Sequence, residues 1–397
     1  MFCLSGCSGC EDGAGGGPAS QPFQGETVTV AAPRSLGLES SWQLLLAEWS
    51  EQTGAEHAIT EYELDGGEHS LNRTMARSVD GRSPTLIVFP LTRLPELAFD
   101  GSLAEMSPEQ RERLNWLEVF KGLRENIVRS EGRAVAVPVS APVLVCYYRQ
   151  DLLDSAGLVP PETWGDYQDL LATLDRWAPG LTAVEPWGEE FRATLFLARA
   201  TAFARHPGNY SFYFDITTGD PLIDSPGFTR ALEAAAAARE HLADEVVRYA
   251  PADCRREILS GRAALALAFE TGPGNPPLAF GPAAPSAEVS ASSTASETET
   301  PPEDFAIGFC RLPGSPQVYN HSAQDWDELP DDSVNRAALT GFGGVAVGVS
   351  ARTTPESAAA AWNLVETLTV FRLNDAFPEG AKTPCRDSHL LLSADWV

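Results

Sequence analysis

The sequence predicts an α/β protein with two domains, and three observations lead to this prediction. The chain has 397 residues, more than one ordinary hydrophobic core supports, so two domains are expected. Hydrophobic residues make up 43% of the chain and charged residues 21%, which is a globular composition. Strand-like and helix-like patterns alternate from residue 27 onwards, which is typical of βαβ units and a parallel sheet.

The first predicted unit runs through three strands. ETVTVAA is a short β-branched run of the buried-strand type, and AITEYEL and PTLIVFP predict two further strands. Between the first two strands, SSWQLLLAEWSEQTG predicts an amphipathic helix that ends at Gly54. Its apolar positions recur at helical spacing: Trp42, Leu45, Leu46 and Trp49. A polar helix is predicted near residues 68–80.

A second strand-rich block, AVAVPVSAPVLVCYYRQDLLDSAG, runs into a helix. The next helix begins at a capping signal, with Thr163 before Trp164 and Asp166, and ends at Pro179-Gly180. SPGFTRALEAAAAAREHLADEVV predicts a long helix, and CRREILSGRAALALAFE predicts a helix, a turn and a strand. We expect FAIGFCRLP to pair with the strand ALALAF.

The last predicted elements are the strand GGVAVGVS and the helix PESAAAAWNLVETLTVF, with Trp362 and Leu364 on its apolar side.

Two segments contain too few large apolar side chains to form a hydrophobic core. Residues 8–26 are rich in Gly, Ser and Pro and are interpreted as a flexible tether. Residues 281–304 are acidic and rich in Ser, Thr, Ala and Pro, which predicts a disordered insert.

The charge and the cysteine pattern exclude several function classes. A net charge of −27 without a Lys/Arg cluster argues against nucleic acid and against adsorption to anionic lipid. No stretch of 18 apolar residues is present to span a bilayer. Beyond residue 10 the cysteines are scattered, so no metal and no cofactor is expected. One or two disulfides remain possible, with the pairing open, among Cys146, Cys254, Cys310 and Cys385. Cys146 in VLVCYY is most simply a core residue.

The chain contains few candidates for catalysis. HExxH and GxSxG motifs are absent, and GFGGVA at 341–346 leads into a strand, whereas a dinucleotide loop opens a helix. These glycines more simply let the backbone approach something closely. EPWGEEF places Glu185, Glu189 and Glu190 beside Trp187. This group could serve a glycosidase, could hold a sugar against the aromatic ring, or could be an ordinary solvated loop.

CYYRQDLLDSAGLVPPETWGDYQDLLATL is similar to the block YYNKDLFEKAGLDPPKTWDEL of one family, the sugar-type extracellular solute-binding proteins of bacteria. SPGFTRALEAAAAARE, EILSGRAALALAFE and GFGGVAVGVSARTTPESAAAAWNLVETL resemble later family segments in the right order. The resemblance implies a type II periplasmic-binding-protein fold, with two α/β lobes and a ligand cleft between them. The expected crossings are near Ser140–Pro142, Cys310–Pro313 and Gly380–Arg386.

The resemblance also implies a division of the chain and a set of ligand contacts. The predicted parts are a lipoprotein-type N-terminus and tether (1–26), lobe one (27–140 plus 313–380) and lobe two (141–312 plus 381–397). The strand ends facing the cleft would offer these ligand-binding residues: Arg34, Ser35, Phe89, Arg93, Ser140, Glu185, Trp187, Phe269, Glu270, Gly343 and Gly344.

The implied function is capture of a small molecule, expected to be a sugar or oligosaccharide, for an ABC importer, without catalysis. Its partners would be the ligand and the transporter permease, and the protein would be a monomer. Leu4-Ser5-Gly6-Cys7 fits a bacterial lipobox, which predicts lipidation of Cys7 and a periplasmic or cell-surface location. The apolar stretch before Leu4 is short, so we expect a further signal segment upstream. Two alternatives remain, a sensor module for a signalling receptor and an extracytoplasmic glycosidase.

Overall fold

The computed structural model describes residues 21–63, 83–189, 191–270, 305–330, 333–337, 344–371, 383 and 385–388. Three predicted features lie outside these residues: most of the N-terminal segment with Cys7, the polar helix near 68–80, and the insert at 281–304. No helix in the described ranges is both long and apolar enough to cross a membrane.

Thirteen strands lie in the described ranges. They are β1 (Thr27–Pro33), β2 (Glu56–Tyr62), β3 (Leu86–Pro90), β4 (Arg129–Ser130), β5 (Arg133–Ala134), β6 (Val137–Ser140), β7 (Val143–Arg149), β8 (Thr182–Val184), β9 (Ala263–Glu270), β10 (Ile307–Arg311), β11 (Gln317–Asn320), β12 (Asp325–Glu328) and β13 (Val345–Val349).

Ten α-helices lie in the same ranges. They are α1 (Leu38–Thr53), α2 (Leu94–Phe99), α3 (Pro108–Arg113), α4 (Gln150–Ala156), α5 (Trp164–Ala172), α6 (Leu174–Trp177), α7 (Arg192–Ala204), α8 (Pro226–Arg239), α9 (Pro251–Leu259) and α10 (Pro355–Glu366). Short 3-10 turns follow β1 at Arg34–Leu36 and β3 at Leu91–Arg93.

The first sheet has the strand order β2-β1-β3-β13-β6. β1 pairs in parallel with both β2 and β3, which confirms the predicted βα series. β13 is antiparallel to β3 and β6 and is buried along its whole length. The helix α1 packs its predicted apolar positions into this core and ends at Gly54, whose φ of 78° suits glycine. Both faces of the sheet are therefore covered, as is typical of α/β domains.

The second sheet has the strand order β10-β7-β9-β8. The predicted pairing of FAIGFCRLP with ALALAF is wrong, because β7 lies between β10 and β9. The burial of the two strands gives the reason. β7 is buried at every residue but its first and so suits a central position, whereas β10 exposes Phe309 and Arg311 and suits an edge.

The capping signal in the second unit is confirmed. Asp166 N donates to Thr163 Oγ1 at 3.1 Å, and Thr163 N donates to Asp166 Oδ2 at 2.8 Å. The helix predicted as one piece up to residue 180 is interrupted at Thr173, so that α5 and α6 are separate.

Two segments pack differently from the predicted division of the chain. The first comprises residues 314–330 and 333–337, which the prediction places in lobe one but which lie against the helices of the second sheet. Asn335 Nδ2 donates to Thr201 O at 3.1 Å and to Ala202 O at 2.9 Å on α7. The β11–β12 hairpin buries Val318 and Tyr319 beside α7 and α8, so its apolar residues need this neighbour. The described residues between 314 and 337 thus pack with the second sheet, and the position of the second crossing stays a prediction.

The second is the described part of the tail, which was assigned to lobe two. Cys385 lies fully buried in the core of the first sheet, and Phe120 N donates to its carbonyl at 2.9 Å. Thr383 Oγ1 accepts from Ala141 N at 2.6 Å. Thr383, Cys385 and Arg386 therefore complete the first unit next to the connection between the sheets. The remaining boundaries of the two lobes stay a prediction.

Candidate functional site

The register of the first sheet brings several predicted site residues together at one edge, which is formed by the ends of its strands. The carboxyl ends of β1, β3 and β6 and the amino end of β13 meet there, since Val345 pairs with both Pro90 and Ser140. This edge holds five of the predicted ligand-binding residues: Arg34, Ser35, Arg93, Ser140 and Gly344. Gly343 lies outside the described residues.

The second sheet presents an equivalent edge. Glu270 at the carboxyl end of β9 pairs with Val143 at the start of β7. β8 runs parallel to β9 and ends at Val184, so the segment from Glu185 to Trp187 leaves the sheet at the same edge. The side chain of Glu270 lies outside the described part of the chain.

The two edges are neighbours because the connection between them is short. Only Ala141 and Pro142 separate Ser140 at the end of β6 from Val143 at the start of β7. Three Cα–Cα steps span at most about 11 Å. The space between the two edges is the candidate cleft.

Two guanidinium groups lie at the first-sheet edge. Arg34 is exposed and pairs with Glu61 at 3.2 Å and Glu63 at 3.3 Å. Arg93 pairs with Glu96 at 2.9 Å and lies near Tyr62, whose pKa is raised by burial and only partly offset by the charge of Arg93. Because such pairs at the surface are weak, both guanidinium groups can donate to a polar ligand.

Ser140 and Gly344 form hydrogen bonds at the point where β6, β13 and the turn after β3 meet. Ser140 Oγ accepts from Val345 N at 3.1 Å, and Leu91 N donates to Gly344 O at 2.9 Å. A Cβ at residue 344 would lie 2.3 Å from Ser140 O. The close backbone approach expected of these glycines is thus made, at Gly344, to the protein's own β6.

Phe89 and Phe269 are core residues rather than cleft residues. Phe89 has no exposed surface and packs in the core of the first sheet, and Phe269 is buried in that of the second. Phe89 is 0% exposed and Phe269 is 3% exposed, so neither ring is presented to a ligand in this structure. This corrects the expectation that both rings contact a ligand.

Glu185 is not a free carboxylate either. Its side chain is 0% exposed, and its Oε1 lies 2.5 Å from Nη2 of Arg199, which is 1% exposed. Its other oxygen accepts from the Trp187 indole N–H at 3.0 Å. The expectation that Glu185 meets a ligand is therefore corrected, since both oxygens are occupied inside the protein. Trp187 itself is half-buried and held by this carboxylate.

Arg199 is the residue that sequence reasoning missed. It lies on α7, fourteen residues after its partner, and its guanidinium stacks on the Trp164 ring at 4.4 Å. A signal was available, because Arg199 is the single charged residue inside the apolar stretch ATLFLARATAFA. A buried cation in such a helix needs an anionic partner.

Of the remaining carboxylates of the EPWGEEF segment, only that of Glu189 lies within the described residues. Glu189 is exposed and lies 3.8 Å from Arg192, and Glu190 is outside the described residues. Within the described ranges, no group of three or more His, Cys, Asp or Glu side chains could hold a metal ion.

Several solved structures have the same fold as this chain at low sequence identity. A solute-binding protein of an ABC transporter from Agrobacterium radiobacter K84, in complex with ribitol, is 18% identical with a TM-score of 0.62. The match covers 94% of this chain and 85% of that one. The sugar-binding protein MalE from Xanthomonas citri is 19% identical with a TM-score of 0.63, over 92% of this chain and 81% of that one. The chain has the solute-binding-protein fold.

A third solved structure with a similar fold is a complex with a sugar. Maltose-bound MalE3 of T. maritima is 19% identical with a TM-score of 0.60, covering 91% of this chain and 82% of that one. No profile of a known protein family matches the sequence, and no curated protein is similar to it. The solute-binding fold, with two α/β units, confirms the fold class predicted from the sequence.

Proposed function

We propose that this protein captures a carbohydrate or polyol between its two sheet edges as the binding component of an ABC importer. The observation that supports this most is the arrangement of the edges, each lined by strand ends and loops and joined by two residues. Neighbours with the same fold have been solved with ribitol and with maltose.

The cleft chemistry suits a polyhydroxylated ligand. Arg34 and Arg93 supply hydrogen-bond donors, and Ser35 adds an exposed hydroxyl. Trp187 supplies an indole whose position is fixed through Glu185. An aromatic face covers the apolar C–H face of a sugar while the polar groups satisfy its hydroxyls.

Capture is favoured over hydrolysis by the state of Glu185. A glycosidase needs one carboxyl group as acid and another as base or nucleophile, about 5 to 9.5 Å apart across the sugar. Glu185 is fully buried and committed to Arg199 and Trp187, so it cannot take either role here. Binding with closure of the two units then follows as a shift between open and closed populations.

The proposal includes an extracytoplasmic location. Lipidation of Cys7 would attach the chain to the membrane, residues 8–26 would serve as its tether, and a permease would receive the ligand. A monomer suffices for this role, because the cleft lies within one chain. Mass spectrometry of the N-terminal peptide from the native host tests the anchor, and an unmodified Met1 would contradict it.

Ligand capture is tested by a thermal-shift screen with ribitol, maltose, other sugars, amines and peptides, followed by calorimetry. A ligand at 100 times its Kd should add about 2.7 kcal/mol to the free energy of unfolding. Trp187→Ala and Arg93→Ala should weaken binding at least tenfold. Arg113→Ala, at an exposed pair with Glu109 on α3, serves as the control. A shift with amines but with no sugar or polyol would overturn the ligand class, and turnover of an oligosaccharide would overturn the capture function.

A further inference from the structure

Two cysteines lie directly opposite each other in the second sheet. Cys146 on β7 and Cys310 on β10 are partners in the antiparallel register. Opposite residues of neighbouring strands present their side chains to the same face. Cys146 is fully buried in the core of this sheet, and the half-buried Cys310 packs against the same core.

The register also sets the spacing of their backbones. Gln150 N donates to Ala306 O at 2.9 Å, which makes residues 150 and 306 a hydrogen-bonded pair. Such pairs recur at every second residue, so Cys146 and Cys310 form one too. The Cα atoms of a hydrogen-bonded pair lie about 5.5 Å apart, inside the range of about 4.4 to 6.8 Å seen in disulfides. The Cβ atoms of such pairs lie at the wide end of about 4.5 to 5.5 Å, so the bond requires the edge strand β10 to move towards β7 until they are about 3.5 to 4.5 Å apart.

The two thiols differ in a way that suits exchange chemistry. The hydrogen bond with the Cys146 thiol lowers the pKa of Cys310, and Arg336 adds to this effect. The same interaction and burial raise the pKa of Cys146. Cys310 is therefore the more accessible and more readily ionised thiol, and it is the one expected to attack an oxidant.

We propose that Cys146 and Cys310 are the site of an intramolecular disulfide, formed by exchange with a disulfide oxidant. The Cys310 thiolate attacks one sulfur of the oxidant and releases the other as a thiolate, which leaves a mixed disulfide. Cys146 then loses its proton and attacks the Cys310 sulfur, and the second thiolate of the oxidant departs. Two cysteine thiols lose two electrons and two protons, and the oxidant becomes two thiols.

The link joins an edge strand to its neighbour. β10 has β7 as its one partner in the sheet, and the bond would close a loop of about 160 residues. Long loops gain most from closure, so oxidation should stabilise the second unit. Both cysteines belong to one sheet, so the bond does not cross the candidate cleft and leaves closure free. That an oxidising compartment supplies the oxidant rests on the proposed extracytoplasmic location.

Peptide mapping of the purified full chain tests the proposal. The protein is incubated with glutathione disulfide, its free thiols are alkylated, and it is digested with trypsin without reduction. Cleavage after Arg133, Arg149, Arg262 and Arg311 should yield peptides 134–149 and 263–311 joined by a disulfide. The linked pair should disappear on reduction and be absent from Cys310→Ser, but persist in Cys254→Ala, whose buried thiol lies on α9 and not on either strand of the pair.

Melting temperature and binding provide the second readout. The oxidised chain should melt about 5 °C or more above the reduced chain. Cys310→Ser should show no such difference, and affinity for any ligand found in the screen should be equal in both redox states. A Cys310–glutathione adduct without the link, or a link from Cys310 to the N-terminal peptide 1–34, would overturn the proposal. These results do not depend on whether a sugar binds, so failure of the proposed function would be seen separately.

Discussion

The buried pair of Glu185 and Arg199 offers a direct test of how the candidate site is held. In Arg199→Met, the new side chain fills much of the same space but leaves the Glu185 carboxylate buried beside Trp187 as its remaining partner. Removing one member of a buried ion pair costs about 3–5 kcal/mol, because the other charge stays unpaired. For a unit of about 200 residues this lowers the melting temperature by about 10 °C.

The matched control is Arg192→Met, seven residues earlier on the same helix. Arg192 is exposed and 3.8 Å from the exposed Glu189, so its loss should not measurably change the free energy of unfolding. Urea denaturation of both variants gives the free energies directly.

A double-mutant cycle isolates the interaction between the two charges. Glu185→Gln keeps an acceptor for the Trp187 indole but leaves the Arg199 cation without its carboxylate partner. This single variant should therefore also be destabilised. The double variant Glu185→Gln/Arg199→Met carries no charge at the site, and it should be about 2–3 kcal/mol more stable than the sum of the single effects predicts. Additive effects would refute an energetic coupling between Glu185 and Arg199.

Three further predictions concern single residues. Gly344→Ala should destabilise the first unit by about 2 kcal/mol in urea, because its Cβ would lie 2.3 Å from a carbonyl oxygen of β6, whereas Gly122→Ala meets no atom within 4 Å. A hydrogen bond from Arg149 holds the pKa of Asp151 below its usual range, so this carboxylate stabilises the fold above its unfolded pKa of about 3.9 and the effect is lost as pH falls further. Asp151→Asn should therefore lose less stability than the parent chain between pH 5 and 3 in acid titrations, and an equal loss would contradict this. Burial raises the pKa of Cys385 to about 12, so iodoacetamide at pH 8 should leave it unmodified in the native protein and modify it only after unfolding, as read by mass spectrometry.

Local patterns in the sequence were sufficient for most of the architecture. The spacing of Trp42 and Trp49 places both in the core, and the capping residues Thr163 and Asp166 form the expected reciprocal bonds. These signals work because they depend on neighbours three to seven residues away. The strand partner of β10 could not be predicted from such local patterns, because the strand order depends on which strand is buried on both faces.

The site was predicted less completely because partners distant in sequence decide the role of a charged side chain. A carboxylate next to a tryptophan suits a sugar site equally whether it is free or paired. Glu185 is paired, through a residue on another element, and the pairing changes its role from a proposed ligand contact to a support for Trp187. The burial of Phe89 was missed for a related reason, since a strand end looks the same in sequence whether its last side chains are exposed or packed in the core.

The glycines near residue 344 show how the chain path changes the meaning of a motif. Ala337 packs on the core of the second sheet, whereas Gly344 lies at the edge of the first. Gly344 leads directly into the strand β13, whereas a dinucleotide-binding loop would have to open a helix. The first crossing, at Ala141, is hydrogen-bonded to Thr383 of the tail. Under the proposed capture function, substitutions at Ala141 or Thr383 should alter ligand affinity through the open–closed equilibrium without touching the ligand.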